Sequence, residues 1–272
     1  MMGILNVTPD SFSDGGRFFE KDEAVEHAMR MADEGADIID VGGESTRPGA
    51  GDVSLKEELD RVMPVIEGIA GKTRAVISID TRKAAVAQAA IKAGAMIVND
   101  VSGLRFDSLM ASVAAKHNAC VIVMHMKGTP KDMQVNPAYA DVVAEIIQGL
   151  EESISIARRA GVSENKIIID PGIGFGKTVE HNIEILRRLD EFKKLNKAIC
   201  IGVSRKSFIG RLLHLSNAGD RLPGTIAANT VAILKGANIL RVHDVREAEN
   251  AARLVDGILG AKVNRWQNSE LT

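Results

Sequence analysis

The chain has 272 residues, with 34 Lys and Arg against 36 Asp and Glu and a formal net charge of −2. Hydrophobic residues make up 45% of the sequence, which is ample for a packed core and excludes a disordered or collagen-like chain. The near-neutral charge balance argues against a nucleic-acid-binding protein, because such affinity comes from a basic face.

The cysteines and the N-terminal residues indicate a cytoplasmic protein. Cys120 and Cys200 stand apart in apolar runs, as expected of buried thiols in a reducing compartment. No basic region precedes the first apolar run, so no signal peptide is predicted. No apolar run approaches the ~18 residues that span a bilayer, so we expect no membrane partner.

Short β-branched runs alternate with longer helical stretches along the whole chain. The strand-like runs lie at residues 3–7, 36–43, 75–80, 95–101, 119–126, 166–170, 198–204 and 237–244. The helical stretches lie near residues 21–34, 54–70, 83–93, 107–117, 138–160, 180–192, 220–236 and 246–259. Continuous Val/Ile runs are typical of parallel strands that are covered on both faces.

Eight such units predict one α/β domain, a (β/α)8 TIM barrel over residues 1–260 followed by a polar tail at 261–272. The active site of this fold lies at the C-terminal ends of the strands. An open, doubly wound sheet is the alternative, although it usually has fewer strands and a glycine-rich first turn.

Polar residues stand near the carboxyl ends of six predicted strands. They are Asn6, Asp80, Asn99, Asp170, Ser204 with Lys206, and Arg241 with His243. Each alone is compatible with a cap or a buried, hydrogen-bonded group. Because alternate residues of a strand share a face, inward-facing sets would bring carboxylates, an amide and an ammonium into one cavity. Such groups are suited to binding a flat heterocycle with donor and acceptor edges.

A second group of residues is suited to an anion. Cationic and oxygen-bearing side chains from the first, second and eighth units would bind a phosphate together with Mg²⁺. They are Asn6, Arg47, Arg241 and His243.

Two motifs of other chemistries fail on their spacing. A phosphate-binding loop that ends at Thr178 would need Gly where Pro171 stands. The segment around Ser204 lacks the second Gly of a nucleophile elbow, and no His–carboxylate partner is indicated for this serine. A serine hydrolase is therefore not predicted.

The strand ends and the loops that follow them carry longer motifs, spread over about residues 2–260. These are GILNVTPDSFSDGG, GGESTRPG, SID, VND, MHMKGTP, IDPGIGFGK, SRKSFIG and RVHD. With them the chain closely resembles the bacterial dihydropteroate synthases, a family of pterin-binding barrels.

The resemblance implies a transferase of folate biosynthesis, from the family that sulfonamides inhibit. Its substrates would be 6-hydroxymethyl-7,8-dihydropterin pyrophosphate and p-aminobenzoate, joined to 7,8-dihydropteroate with Mg²⁺-assisted, SN1-like loss of pyrophosphate. The resemblance also implies a homodimer.

Site residues follow from the resemblance position by position. The pterin would be held by Asp80, Asn99, Met124, Asp170, Phe175, Gly202 and Lys206. The pyrophosphate would be held by Asn6, Arg47, Arg241 and His243, with Asn6 also a Mg²⁺ ligand. The p-aminobenzoate pocket would be formed by Phe12, Thr46, Pro48, Phe175 and Ser207. The residues expected to act in catalysis are Asn6, Asp14, Arg47, Lys206, Arg241 and His243.

Two alternative functions remain open at this point. A methyltetrahydrofolate:corrinoid methyltransferase would share Asp80, Asn99 and Asp170 as ring-binding residues, but it would have no use for the cationic and metal-binding groups. A non-catalytic pterin-binding paralogue would keep the site and lack turnover.

Overall fold

Eight parallel strands form a closed barrel in the described part of a computed structural model, which comprises residues 1–7, 17–45, 51–129 and 131–260. The strands pair in chain order, and the last pairs with the first. They are β1 Met2–Asn6, β2 Ile38–Gly42, β3 Val76–Asp80, β4 Ile97–Asp100, β5 Cys120–Met124, β6 Ile167–Asp170, β7 Ala198–Ile201 and β8 Ile239–Val242. The predicted barrel is confirmed, and the open sheet is excluded.

Helices alternate with the strands, as the sequence predicts. They are α1 Arg17–Asp33, α2 Leu55–Ile69, α3 Ala84–Lys92, α4 Met110–Lys116, α5 Val142–Arg159, α6 Val179–Arg187, α7 Ser207–Leu213, α8 Leu222–Lys235 and α9 Val245–Ile258. Helix α7 has seven residues and is absent from the helical stretches predicted above. The stretch predicted at 180–192 divides into α6 and a 3-10 helix at Leu189–Leu195.

The two faces of each strand pack into different cores. Outward residues such as Ile39, Ile79 and Val121 join the main core between the barrel and the helices. Inward residues form a second cluster at the bottom of the barrel. It consists of Met2, Ile97, Ile122 and Cys200, with Ile38, Val76, Cys120, Ile168 and Ile239 packed against it.

The polar strand-end residues share the parity of this inner cluster. Asn6 lies four residues after Met2, Asp80 four after Val76, and Asp170 two after Ile168. Because side chains of a strand alternate between its two faces, these polar groups lie on the inward face, above an apolar floor. The closed barrel thus directs them to one mouth.

Glycines follow two helices just before the next strand. Gly35 and Gly94 follow α1 and α3 with φ of 106° and 119°, a region that L side chains rarely adopt.

No helix within the described residues is long and apolar enough to cross a membrane.

Met31→Ala tests the packing of α1 on the barrel. Met31 is fully buried, and a Cβ added at Gly3 of β1 would lie 2.8 Å from its sulfur. Truncation of a buried Met leaves a cavity, so we expect the free energy of unfolding to fall by about 2–5 kcal/mol. Urea unfolding measures this change. Met96→Ala is the matched control, because the Met96 side chain is exposed; an equal loss in both variants would contradict the packing of Met31.

Candidate active site

The first four strands end in one row of residues across the barrel mouth. Asn6 is in register with Gly42, Gly42 with Asp80, and Asp80 with Asn99. Gly42 has no side chain and so leaves space beside Asp80. A Cβ added at Gly42 would lie 3.4 Å from the Asp80 Cβ. Asp80 and Asn99 are both buried. The structure thus brings together the carboxylate and the amide that the sequence predicted on neighbouring strands.

Arg241 lies at the centre of a buried ionic network that closes across the barrel. Its Nε donates to Asp40 Oδ2 at 2.7 Å, and its Nη2 donates to Asp80 Oδ2 at 2.7 Å. Asn99 Nδ2 also donates to Asp40 Oδ2, at 2.9 Å. Three of these residues were predicted, and the fully buried Asp40 of β2 was not. Its signal in the sequence is a carboxylate inside an otherwise apolar strand, because a buried polar residue is the informative exception.

The environment of Asp80 changes its protonation. Burial raises the pKa of the Asp80 carboxyl to about 7, although Arg241 acts in the opposite direction. The negative charges of Asp40, Glu58 and Asp100 raise this pKa further. Asp80 therefore titrates near neutral pH, which is typical of functional sites.

Asp170 and Lys206 bring a second pair of opposite charges to the mouth. Burial raises the pKa of Asp170, opposed by Lys206 and by the Gly172 N–H, which donates to Asp170 Oδ1 at 2.7 Å. Burial lowers the pKa of Lys206 to about 8, opposed by Asp170. Lys206 Nζ donates to the Ile173 carbonyl and lies 4.8 Å from the centre of the Phe175 ring. These contacts bring Phe175 next to Lys206, and the sequence predicts that both residues hold the pterin.

The remaining predicted pterin-binding residues also lie at the mouth. Met124 is buried at the end of β5 and is in register with Asp170. Gly202 follows β7, where an added Cβ would lie 3.7 Å from the Arg241 Cβ. Absence of a side chain at Gly202 therefore leaves room beside the stem of the Arg241 side chain.

Ser204 and His243 form a pair that the sequence did not indicate. Ser204 Oγ lies 2.9 Å from His243 Nδ1, and the His243 backbone N–H donates to the same Oγ at 3.2 Å. Residue spacing did not indicate this histidine contact, because it joins loops 39 residues apart. Ser204 is buried and already bonded twice to His243, so its position fits orientation of the imidazole.

A further ion pair joins the same two loops. Arg205 Nε donates to Asp244 Oδ2 at 2.9 Å, and Arg205 Nη2 also contacts this carboxylate. Arg205 has φ of 55°, so the backbone turns sharply just before Lys206. The loops that carry Lys206 and His243 are thereby held together.

Buried Lys177 ties the loop after β5 to the loop after β6. Its Nζ donates to the carbonyls of His125 at 3.2 Å and Phe175 at 2.9 Å, and lies 3.2 Å from His125 Nδ1. Burial lowers the pKa of Lys177 well below its ordinary value and lowers the pKa of His125 to about 3. In the sequence this segment stands out for its glycines, and nothing in the pattern indicates the role of its lysine.

The base of the loop after β2 is held by a buried ionic cluster that sequence reasoning also missed. Lys83 Nζ contacts Glu44 Oε2 at 3.0 Å and also pairs with buried Glu58. Arg82 Nη2 donates to Glu44 Oε1 at 3.0 Å, and the Val53 N–H donates to the same oxygen at 3.2 Å. Glu44, at the start of this loop, is therefore bonded to Val53 near its end.

Several predicted residues lie outside the described residues or at the edge of the site. Ser207 is exposed and begins α7, directly after Lys206. Asn6 is half-buried at the end of β1. The residues expected from the first two loops, outside the described part of the chain, are Phe12, Asp14, Thr46, Arg47 and Pro48.

The arrangement defines a class of protein: a TIM barrel whose mouth presents paired carboxylate, amide, ammonium and guanidinium groups to a small polar heterocycle. In agreement, residues 2–243 match the family model of the pterin binding enzymes.

Known proteins narrow this class further. The chain is 48% identical to the dihydropteroate synthase of Escherichia coli K12 over 265 residues, or 97% of this chain and 93% of that one. It resembles the crystal structure of a dihydropteroate synthase from Clostridium difficile with pteroic acid, with TM-score 0.89, 51% identity and coverage of 94% and 95%. The enzyme of Xanthomonas albilineans with 4-aminobenzoic acid gives TM-score 0.90, 43% identity and coverage of 95% and 92%. The chain belongs to the dihydropteroate synthase family.

Gly172→Ala tests the junction of the two loops. Gly172 has φ of 70°, and a Cβ there would lie 2.0 Å from the His125 carbonyl oxygen. We expect the variant to displace the loop that carries Ile173 and Phe175 and to lower pterin affinity by about 10-fold or more, because hydrogen bonds worth ~1–3 kcal/mol are lost. Calorimetric titration with 6-hydroxymethylpterin measures the effect.

Gly71→Ala is the matched control for backbone strain. Gly71 has φ of 73°, and nothing lies within 4 Å of its added Cβ. This variant should lose about 1–2 kcal/mol of stability from the left-handed backbone alone and keep its pterin affinity. Equal pterin affinity in the two variants would mean that the loop junction does not support the site.

Proposed function

We propose that the chain condenses 6-hydroxymethyl-7,8-dihydropterin pyrophosphate with p-aminobenzoate to give 7,8-dihydropteroate and pyrophosphate. The observation that carries this proposal is the convergence of Asp80, Asn99, Asp170, Lys206 and Arg241 on one barrel mouth. These groups match the chemistry of a pterin joined to an anionic leaving group.

The pterin ring is proposed to lie between the two charged pairs. Its amino and ring N–H groups are donors that buried carboxylates accept, and its carbonyl and ring nitrogens accept from Lys206 and Asn99. Phe175, beside Lys206, offers an apolar face to the flat ring. Buried, fixed hydrogen-bonding groups discriminate strongly, because a wrong ligand leaves them unpaired.

The pyrophosphate is proposed to bind Asn6, Arg241 and His243, together with Arg47. Guanidinium groups bind phosphate oxygens in a bidentate geometry and stabilise the charge that develops as the C–O bond breaks. This electrostatic stabilisation is the main demand on the enzyme, since an allylic C–O bond beside an electron-rich dihydropterin ionises readily.

The donor set at the mouth fits Mg²⁺ brought by the substrate. No group of three or more His, Cys, Asp or Glu with metal-binding geometry occurs among the described residues. Mg²⁺ commonly uses one or two protein ligands together with phosphate oxygens and water, so the Asn6 amide oxygen would hold it beside the pyrophosphate. When bound, the ion would neutralise the leaving group.

The p-aminobenzoate is proposed to bind outside the pterin, against Phe175 and Ser207 and the first two loops. Its neutral amine attacks the reacting carbon with the nitrogen lone pair. By then the C–O bond electrons have left with pyrophosphate to give the cationic carbon, and as the new C–N bond forms the nitrogen loses its proton to water. No strong base is required for this step, and Asp14 is proposed to offset the cationic charge at carbon.

A product assay tests the proposal directly. Purified protein is incubated with both substrates, with Mg²⁺ or with EDTA, and dihydropteroate is measured by chromatography. We expect product that depends on both substrates and is reduced by EDTA. Absence of product under every condition would overturn the synthase activity and leave a non-catalytic pterin-binding protein.

Lys206→Ala and Asp170→Asn test the pterin-binding pair. Each leaves buried polar groups unpaired, so we expect each to weaken the binding of 6-hydroxymethylpterin by ~1–3 kcal/mol. The controls Lys72→Ala and Asp33→Asn remove an exposed charge of the same sign. Near-normal affinity in both site variants would place the pterin elsewhere.

We also propose that the chain forms a homodimer. The support is a set of exposed apolar side chains on α7, α8 and α9, helices that contact one another in sequence. They include Leu212, Leu213, Val231, Leu234, Leu254 and Ile258. Large exposed apolar patches commonly mark interfaces.

Light scattering after size exclusion tests the homodimer. We expect a mass of twice the 29.1 kDa protomer and a shift toward the monomer in the double variant Leu234→Glu, Ile258→Glu. A wild-type monomer at micromolar concentration would contradict the proposal.

We propose a cytoplasmic location as well, supported by two free cysteines.

A further inference from the structure

Asp40 is a costly residue for its position in the barrel. Its side chain is fully buried on the inner face of β2, above the apolar floor of the barrel. Oδ2 accepts from both Arg241 and Asn99, whereas Oδ1 has no hydrogen-bond partner among the described residues. A buried ion pair is weak evidence for stability, because desolvation offsets much of the attraction. The geometry of the pair points instead to a role toward Arg241.

Arg241 is shared between two carboxylates with different surroundings. Its Nε bonds Asp40 in the barrel interior, and its Nη2 bonds Asp80 in the row at the mouth. A guanidinium has five N–H donors, and these two bonds use two of them. The Nε bond fixes the stem of the side chain, so a short rotation redirects the terminal nitrogens.

Asp80 has two competing partners in the proposed function. The Arg241 Nη2 bond occupies Asp80 Oδ2, and the same carboxylate is assigned to the pterin N–H groups. The pyrophosphate of the substrate, in turn, attracts the guanidinium toward the mouth. A single movement of the Arg241 guanidinium therefore brings it to the pyrophosphate and releases Asp80 for the pterin.

We propose that Asp40 is a positioning residue that anchors Arg241 while its Nη2 bond passes from Asp80 to the pyrophosphate. The inference rests on the proposed function and adds a coupling to it. Pyrophosphate draws the guanidinium from Asp80 and frees this carboxylate for the pterin. Binding of the two parts of the substrate is then cooperative through one side chain.

The coupling is measured with two fragments of the substrate. 6-Hydroxymethylpterin is titrated into the full chain by calorimetry, alone and with saturating inorganic pyrophosphate and Mg²⁺. We expect pyrophosphate to tighten pterin binding by about 5-fold or more, the lower end of common coupling energies. In Asp40→Asn the pterin still binds, but the enhancement falls below about 2-fold, because the neutral amide holds Arg241 weakly.

Ser78→Ala is the matched control. Ser78 is fully buried on β3, in register with Asp40, and its Oγ has no hydrogen-bond partner in the described part of the chain. The variant perturbs packing at the same depth without touching Arg241, so the coupling should remain. Arg241→Lys is a second test that preserves the charge, because one ammonium cannot hold Asp40 and reach the anion as the guanidinium does.

The pH dependence separates positioning from a structural effect. Pterin affinity should fall as the pH drops through the Asp80 pKa of about 7, because protonation removes the acceptor. The charged groups acting on Asp80 are Arg241, Asp40, Glu58 and Asp100. Loss of the Asp40 charge lowers the Asp80 pKa, so this acid limb moves to lower pH in Asp40→Asn and stays in place in Ser78→Ala.

Each outcome has a defined meaning. Coupling in the wild type and in Ser78→Ala, lost in Asp40→Asn and Arg241→Lys, supports the proposal. An uncoupled wild type that still forms dihydropteroate overturns this inference alone, and so does full coupling in a folded Asp40→Asn. Should Asp40→Asn fail to fold, retained coupling in Arg241→Lys overturns it. A wild type that binds neither fragment and forms no product overturns the proposed function itself.

Discussion

Closure of eight parallel strands into one barrel is the constraint on which the site depends. Closure brings all the carboxyl ends to one rim, and the alternation of side chains separates an apolar floor from a polar mouth. Asp80 and Asp170, 90 positions apart in the sequence, therefore face the same cavity. A one-residue slip of either strand would turn its carboxylate into the apolar layer beneath the helices.

The barrel and much of its mouth could be predicted because both depend on short-range patterns. Continuous Val/Ile runs identify the strands, and parity from Val76 to Asp80 gives the facing of the carboxylate. Asp40 was not predicted because it stands inside its strand, and its partner Arg241 comes from β8, on the other side of β1. The Ser204–His243 contact likewise depends on how two loops meet, which residue spacing does not encode.

The small net charge of the chain conceals strong local segregation. The barrel brings Arg241, Lys206 and Lys177 near the buried acids Asp40, Asp80 and Asp170, so opposite charges nearly cancel within the mouth. A site with one sign of charge would pay a larger desolvation cost and would reject a ligand that combines a polar ring with a polyanion. A mouth with both positive and negative groups suits such a ligand, because the polyanion contacts cationic groups and the ring's N–H donors contact carboxylates.

Desolvation also prepares this site to respond to its ligand. Burial raises the pKa of Asp170 and lowers the pKa of Lys206 to about 8, so it favours the neutral forms of both groups. A heterocycle that donates to the carboxylate and accepts from the ammonium favours the charged forms instead. Ring binding is thus coupled to ionisation of the pair, and water excluded by the bound ring strengthens each hydrogen bond. The low solvation of this pair contributes to selectivity once the ring is bound, because a ring with its donors and acceptors misplaced would leave both groups without hydrogen-bond partners.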